Sequence, residues 1–204
     1  MKTITAITAQ ERNKDRVNLF VDGEFFAGVS LEIVLKLRLK IGDAVEEDRL
    51  KEILTEAERT DAIQKAADYV LKTFKTKRQV KDYLIKKGYS EDVAWAAVDK
   101  LKEYGYIDDK EYSKRFIEST SKTQGRRLIE YKLMSKGVKK EDIALAYEDA
   151  ETDDKVNARA LAEKYLRNKD KTKENVIKAY KYLIGKGFSY EQADYAVAIF
   201  KEDY

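Results

Sequence analysis

One pattern occurs three times along the chain, and it limits the fold more than any other feature of the sequence. The three copies are DYLIKKGYSEDVAWAAV (82–98), YKLMSKGVKKEDIALAY (131–147) and KYLIGKGFSYEQADYAV (181–197). In each copy an apolar stripe ends at a glycine, at positions 88, 137 and 187, and a second stripe follows. Glycine adopts the left-handed conformation that ends many helices at the least steric cost. Three copies in register therefore predict an internal repeat of helix, turn and helix.

The rest of the chain beyond residue 58 extends this repeat to three helices per unit. The sequence has no proline, which permits long uninterrupted helices. Apolar residues at helical spacing predict nine helices: 60–74, 77–87, 91–104, 109–120, 125–135, 139–150, 154–167, 173–185 and 190–203. Three short helices joined by tight turns resemble a helix-turn-helix core. We therefore expect a mainly α fold, with tandem three-helix repeats at 59–107, 108–151 and 152–204 in a curved array.

The first 58 residues predict a small β-rich domain (1–58). RVNLFVDGEFFAGVS places two β-rich runs on either side of Asp22-Gly23, the strongest short hairpin signal. TITAIT alternates with period two, and GDAV is a further short strand candidate. Between them, SLEIVLKLRL predicts a short helix with Ser30 as its N-cap.

Residue types that are absent exclude several kinds of chemistry. The sequence has no cysteine, so it has no disulfide or thiol chemistry, and no histidine, which removes imidazole ligands and the Ser-His-Asp arrangement. The usual glycine-rich phosphate-binding motifs are also missing. No apolar run is long enough to cross a bilayer, and the first residues lack a signal-peptide core. We expect a cytoplasmic protein that is not an enzyme and that needs no metal or cofactor.

The adjacent carboxylates Asp108 and Asp109 are the one candidate for a catalytic or metal-binding pair. Asp108 and Glu111 stand three residues apart, directly before an apolar helical stripe. This spacing is typical of a capping box, in which Asp109 lies at the positive end of the helix dipole. The pair therefore predicts a helix start rather than a reaction centre.

Basic residues are concentrated on the first two repeats, although the formal net charge is only +3. One cluster consists of Lys72, Lys75, Lys77, Arg78 and Lys81, and a second has six bases against two acids between residues 110 and 127. Arg78 and Arg127 each stand ten residues before the glycine of their repeat, where the third repeat has Ile177. These clusters favour an anionic or acidic partner.

Three functional classes fit these residues: a protein that binds an acidic partner, a direct DNA-binding helix-turn-helix or architectural protein, and a structural helical adaptor. A recognition helix that reads base edges usually carries concentrated basic charge. Here the helices after the glycines begin with acids, Glu91-Asp92, Glu141-Asp142 and Glu191. This distribution disfavours direct base readout without excluding it.

The residues also carry a resemblance to a known family. GYIDDKEYSKRFIES (105–119), followed by GRRLIEYKLMSKGV (125–138), resembles the signature of the RecX family, regulators of the RecA recombinase. KRQVKDYLIKKGYSEDV (77–93) is similar to a further segment of that family, and the β-rich opening is similar to the N-terminal extension of RecX proteins from Gram-positive bacteria.

The resemblance implies a function in DNA repair, homologous recombination and the SOS response. Members of the family bind in the groove of the RecA filament on single-stranded DNA, inhibit its ATPase and strand exchange, and limit its extension. It implies no catalysis, no small-molecule substrate, no membrane and at most weak direct contact with DNA. On this basis we expect the binding face to contain Arg78, Arg115, Arg126 and Arg127, with Lys77, Lys114 and Lys122 as secondary contacts.

Overall fold

A computed structural model describes residues 1–11 and 13–200. Within these residues the chain forms four strands and ten helices, divided between two compact units, one that ends at Ile107 and one that begins at Asp108. The expected mainly α fold with a small β-rich N-terminal domain is confirmed.

The N-terminal domain is an antiparallel sheet covered by helices. Its strands β1 (Lys2–Gln10), β2 (Asn13–Val21), β3 (Glu24–Ser30) and β4 (Ala44–Val45) lie in the order β3-β2-β1-β4. The predicted hairpin forms, because Asp22 and Gly23 both take positive φ, 51° and 85°, as a type I′ turn requires. Helix α1 (Leu31–Leu37) begins at Ser30, whose hydroxyl accepts a hydrogen bond from the Ile33 amide.

Helix α2 (Glu47–Lys72) joins this domain to the first three-helix unit without a break. Leu50 and Leu54 pack into the core of the sheet, and Ala62, Ala66 and Val70 pack into the core of the first unit. The sequence-based boundary between residues 58 and 59 therefore falls inside a helix. The sheet ends earlier, at β4, and the chain has no linker at residues 58–59.

The first three-helix unit consists of the second half of α2 with α3 (Lys77–Lys86) and α4 (Glu91–Glu103). Its core contains Val80, Leu84, Ala97, Val98 and Leu101. Thr76 and Gln79 form a capping box at the start of α3. Gly88 has φ of 94°, as predicted for the glycine of the repeat.

The second and third units follow the same plan. They contain α5 (Asp109–Thr120), α6 (Arg126–Ser135), α7 (Lys140–Asp149), α8 (Asp154–Leu166), α9 (Lys173–Gly185) and α10 (Tyr190–Ala198). Gly137 and Gly187 have φ of 85° and 91°. All nine predicted helices are present within a few residues at each end, apart from α2, which starts thirteen residues earlier than predicted. Helix α10 was predicted to reach 203, and positions 201–203 lie outside the described residues.

The middle helix of the third unit is longer than those of the other two. Helix α9 has 13 residues, whereas α3 and α6 have 10 each. The position ten residues before the glycine is therefore Ile177 in the third unit, and α9 begins four residues before it, at Lys173. By position in the helix, the counterparts of Lys77-Arg78 and Arg126-Arg127 are Lys173 and Glu174.

Candidate partner-binding surfaces

Helix α6 begins directly against the glycine turn of the third unit. The Gly125 amide donates to the Lys186 carbonyl at 2.9 Å, and the Arg127 amide donates to the Gly187 carbonyl at 3.2 Å. Two amides at the start of α6 are therefore bound by backbone carbonyls of the third unit. Helices α3 and α9 instead begin with a side-chain cap, and α6 has none. A Cβ at position 125 would lie only 2.3 Å from the Phe188 nitrogen, so only glycine fits there.

Arg126 extends from this junction into a network of its own unit. Its Nε donates to Glu130 Oε1 at 2.7 Å, and its guanidinium lies over the Tyr147 ring at 4.3 Å. The hydrogen bond from Arg126 to Glu130 raises the pKa of the guanidinium. Arg126 is therefore partly structural, with about half of its side chain exposed (52%).

Two polar atoms near Arg126 lack hydrogen-bond partners in the described chain. The Tyr147 hydroxyl and Asp154 Oδ1 are buried and unpaired, and both residues line a cavity of about 370 Å³ together with Arg126. Burial raises the pKa of the Tyr147 hydroxyl. Burial also raises the pKa of Asp154, partly opposed by its hydrogen bond from Gln192 and by the charge of Arg126.

Arg127, by contrast, is exposed, and no carboxylate in the described part of the chain pairs with its guanidinium. It lines a second cavity of about 350 Å³ together with Ile184, the buried Phe188 and the exposed Tyr190. An unpaired guanidinium beside an apolar pocket and an exposed ring can bind a partner group that carries both charge and apolar surface.

The other predicted bases differ in how far they are engaged. Arg78 pairs with Asp82 at 3.7 Å, and Arg115 pairs with Glu111 at 2.7 Å, both within one helical turn. Lys77 and Lys114 are half-buried. Lys122 is exposed, and within residues 1–11 and 13–200 no acid pairs with it.

The seven predicted residues are divided between the two compact units. Lys77 and Arg78 belong to the unit that ends at Ile107, and the other five belong to the unit that begins at Asp108. Only Arg126 and Arg127 are brought to a common cavity. Of the tyrosines between these bases, Tyr112 stacks on Phe116 as a packing residue, whereas Tyr131 is exposed.

Asp108 and Asp109 form a helix start. Asp108 Oδ1 accepts hydrogen bonds from the amides of Lys110 and Glu111 at 2.8 and 3.1 Å. Glu111 pairs with Arg115 and does not complete the expected capping box, and Asp109 is buried. No group of carboxylates suited to a metal ion occurs among the residues that the structure describes. The N-cap interpretation accounts for the pair.

Sequence analysis overlooked a third basic segment, which lies between α8 and α9. Residues 167–173 contain Arg167, Lys169, Lys171 and Lys173 against one acid, Asp170. The signal was present as a local charge count. An alignment of the three repeats on their glycines places Ile177, and not this segment, opposite Arg78 and Arg127.

No described helix is both long and apolar enough to span a lipid bilayer.

Comparison with known protein families gives a consistent result along the chain. Residues 2–46 match the model of the regulatory protein RecX N-terminal domain, residues 62–101 match the first RecX three-helix domain, and residues 108–146 match the second.

Curated relatives match over nearly the whole chain. A regulatory protein RecX of Clostridium botulinum is 38% identical over 201 residues, covering 94% of this chain and 92% of the relative. The regulatory protein RecX of Clostridium tetani is 35% identical, covering 92% and 89%.

Solved structures show the same fold. A crystal structure of regulatory protein RecX superposes with a TM-score of 0.65 at 24% identity, covering 96% of this chain and 98% of that one. RecX from Lactobacillus salivarius gives a TM-score of 0.65 at 24% identity, covering 72% and 99%.

Proposed function

Because this chain belongs to the RecX family of regulatory proteins, we propose that it is a negative regulator of RecA. In this proposal it binds in the groove of the RecA filament on single-stranded DNA and inhibits ATP hydrolysis, strand exchange and filament extension. It acts by occupying a surface, without catalysis of its own, and it works in the cytoplasm, where the filament forms.

The observation that carries the proposal is the order of the family matches. The N-terminal domain and two successive three-helix domains match in the order in which they occur in RecX proteins, and curated RecX relatives align over more than nine-tenths of the chain. A modular row of small helical units suits a partner with a regular repeat, because successive units can contact successive subunits.

The charges of the second unit supply the binding chemistry. Arg127 and Lys122 are exposed and form no ion pair in the described part of the chain, so a partner's carboxylates or phosphates can pair with them without breaking one. Arg78, Arg115 and Arg126 would have to exchange an intramolecular carboxylate for one on the partner. We therefore rank Arg127 and Lys122 as the first contacts, the three paired arginines next, and Lys77 and Lys114 last.

The direct test is inhibition of the DNA-dependent ATPase of RecA by the variant Arg127→Glu. Reversal should raise the concentration needed for half-inhibition about tenfold or more, as expected for an arginine at the centre of an interface. Arg49→Glu is the matched control, because Arg49 is also exposed on a helix and has no ion pair in the described chain. Arg126 should be left unchanged in this test, since its contacts with Glu130 and Tyr147 make its reversal a test of folding.

Two outcomes would contradict the proposal. If Arg127→Glu inhibits as well as the wild type while circular dichroism shows an unchanged fold, Arg127 is not a contact. If the wild type neither binds the filament nor inhibits it, the regulatory assignment to RecA fails and the alternative, a direct DNA-binding helix-turn-helix or architectural protein, takes its place. Inhibition should also weaken as salt rises, because exposed charges are screened over about 8 Å at physiological ionic strength.

A further inference from the structure

The third three-helix unit carries a basic segment to which the proposed function assigns no role. We define the third-unit basic loop as Arg167, Lys169, Lys171 and Lys173, which alternate along the connection from α8 to the start of α9. All residues from 167 to 174 are exposed. Within the described part of the chain, no carboxylate pairs with Arg167, Lys169 or Lys173.

Other bases of the same unit are already neutralised. Lys155 pairs with Glu191 at 2.8 Å, Arg159 with Glu163 at 3.2 Å, and Lys178 with Glu174 at 2.7 Å. These three helix bases are thus paired. In the described part of the chain Lys164 and Lys181 also lack an ion pair, but they stand singly on α8 and α9, whereas Arg167, Lys169 and Lys173 lie within seven residues of one another.

The loop is held in shape by the helix that follows it. The Thr172 hydroxyl caps α9 by accepting from the Asn175 amide at 3.4 Å, and the Asn175 side chain donates to the Asp170 carbonyl at 2.8 Å. These bonds fix the backbone on both sides of Lys171, so the loop loses less conformational freedom on binding than a flexible tail would.

Aromatic rings position two of the lysines. The ammonium of Lys169 lies 3.2 Å from the centre of the Tyr165 ring, and Tyr165 stacks on Tyr182 at 4.8 Å. Lys171 lies 5.6 Å from the centre of the Phe200 ring. Because the Tyr165 ring has Tyr182 on one side and a lysine over it, it is not free to stack on a nucleic-acid base. The segment offers charge for binding and no base-reading surface.

The location corresponds to the basic clusters of the other two units. In each unit the bases lie where the first helix connects to the second: Lys75 and Lys77 in the first, Lys122 and Arg126 in the second, and the basic loop in the third. The third unit keeps the charge at this connection, although it lacks the arginine at the second position of its middle helix, where Glu174 stands.

From these observations we propose that the third-unit basic loop binds the phosphate backbone of nucleic acid, independently of base sequence. A stable protein–protein interface usually has an apolar anchor at its centre. The segment RNKDKTKE (167–174) contains no apolar residue, which disfavours a protein partner. Binding to a phosphate chain needs only closely spaced, uncompensated cations, since the affinity comes from the release of counterions. This site goes beyond the proposed action on RecA, because it would bind nucleic acid in the absence of any recombinase.

The test uses the full chain and fluorescence anisotropy of a labelled oligothymidylate and of a duplex of equal length. The loop variant carries Arg167→Gln, Lys169→Gln and Lys173→Gln. The control carries Lys155→Gln, Arg159→Gln and Lys178→Gln, which removes the same charge from bases that are already paired.

The loop variant should bind about tenfold or more weakly than the wild type. Its slope of log affinity against log salt should fall by about 2 for the single strand, at roughly 0.7 for each phosphate contact. The control should bind within about threefold of the wild type, and the tighter-bound probe identifies whether the phosphates come from a single strand or a duplex.

Three results would overturn the proposal. The first is a wild type that binds neither probe. The second is an equal loss in the loop variant and the control, which would mean that only net charge matters. The third is competition by polyglutamate as effective as competition by unlabelled oligothymidylate at equal charge, which would identify an acidic protein surface as the partner. The RecA proposal is tested separately, since loss of ATPase inhibition with nucleic-acid binding intact would refute that proposal and leave this one standing.

Discussion

The Lys-Gly turns at Gly88 and Gly187 have the same sequence pattern and the same left-handed backbone, yet they pack against different kinds of neighbour. At Gly88 the neighbours are side chains of the sheet domain: Asn13 Nδ2 donates to the Lys87 carbonyl at 3.0 Å, and Arg16 lies against the glycine. At Gly187 the neighbour is the backbone of α6, whose amides at Gly125 and Arg127 donate to the turn. The repeat thus specifies a turn with outward-facing carbonyls, and the neighbouring segment decides what binds them.

The residue after each glycine extends this difference into the core. Tyr89 is buried, and its hydroxyl donates to Asp61 at 2.5 Å, within a network that also contains Lys65, Arg16 and Glu58. Phe188 is buried in an apolar core. The first turn is therefore supported by charged groups, and the third by apolar packing and backbone hydrogen bonds from α6. This difference predicts different responses to mutation and to acid.

The largest effect should come from Gly187→Ala. The left-handed conformation would cost about 1–2 kcal/mol for a residue with a Cβ, and the clash would add about 1–3 kcal/mol. That Cβ would lie 2.5 Å from the Leu128 Cβ and 2.6 Å from the Leu128 nitrogen, atoms that cannot move without shifting α6. We expect a loss of about 3–4 kcal/mol in the free energy of unfolding, measured by urea denaturation followed by circular dichroism.

Gly185→Ala is the matched control for this prediction. It lies in the last turn of the same helix, and nothing lies within 4 Å of the Cβ it would gain. It should stabilise the protein by about 0.4–1 kcal/mol, because it restricts the unfolded chain. Similar losses in both variants would show that the close approach at Gly187 does not exist.

Gly88→Ala should cost less, about 2–3 kcal/mol, because the atom in the way, Arg16 Cδ at 2.5 Å, belongs to a side chain. In an Arg16→Ala background the cost of Gly88→Ala should fall to the left-handed term alone, about 1–2 kcal/mol. The double-mutant cycle can be followed by the fluorescence of Trp95, the one tryptophan in the sequence, which lies in this unit. Additive effects of the two changes would mean that Arg16 does not limit the turn.

These two turns also mark how far the sequence could predict the structure. The hairpin at Asp22-Gly23, the cap at Ser30 and the left-handed glycines depend on interactions within a few residues, and all were predicted. The contact between Gly125 and Gly187 joins residues that are far apart in the chain, and nothing local distinguishes Gly125 as its partner.

The same limit applies to the site. The ion pair of Arg126 with Glu130 spans four residues and could have been predicted from their spacing. The contact of Arg126 with the Tyr147 ring joins two helices, and no local signal predicts it. The continuity of α2 through residues 58–59 was also missed. One end of this helix packs into the core of the sheet domain and the other into the core of the first three-helix unit, and local sequence does not show that one helix serves both cores.

The charged network beside Gly88 should make the first unit sensitive to acid. Burial alone would raise the pKa of Asp61, but hydrogen bonds from Lys65 and Tyr89 outweigh it, and the pKa is lowered. A carboxyl whose folded pKa lies below its unfolded value stabilises the protein above the unfolded value, and this contribution is lost as the pH falls through the folded pKa. Asp61→Asn should therefore lower the free energy of unfolding by about 2 kcal/mol at pH 7. The loss should be smaller than for breaking a fully buried ion pair, because Lys65 still pairs with Glu32.

The measurement is the melting temperature by Trp95 fluorescence between pH 7 and pH 3. The wild type should lose stability over the acid end of this range, and the difference between the wild type and Asp61→Asn should shrink with it. A difference that stays constant across the range would mean that the Asp61 carboxylate contributes no pH-dependent stability. Asp61→Glu is the control for charge without the native geometry.

The smallest effect should come from Asp154, and its sign should be opposite. Burial raises the pKa of this carboxyl, more than Gln192 and Arg126 lower it. A folded pKa above the unfolded value means that the folded state prefers the protonated form, so stability falls as the pH rises from the unfolded pKa through the folded one.

Asp154→Asn removes the charge and keeps a group that can pair with the Tyr147 hydroxyl, which is unpaired in the described chain. The variant should therefore melt slightly above the wild type at pH 7, and the two should converge as the pH falls below the folded pKa toward the unfolded one, because the wild-type carboxyl is then protonated as well. Amide hydrogen exchange of α8 and α10 reports on this unit separately from Trp95. Slower exchange in the variant at pH 7 alone would support the assignment, whereas faster exchange would mean that the charged form of Asp154 stabilises the fold.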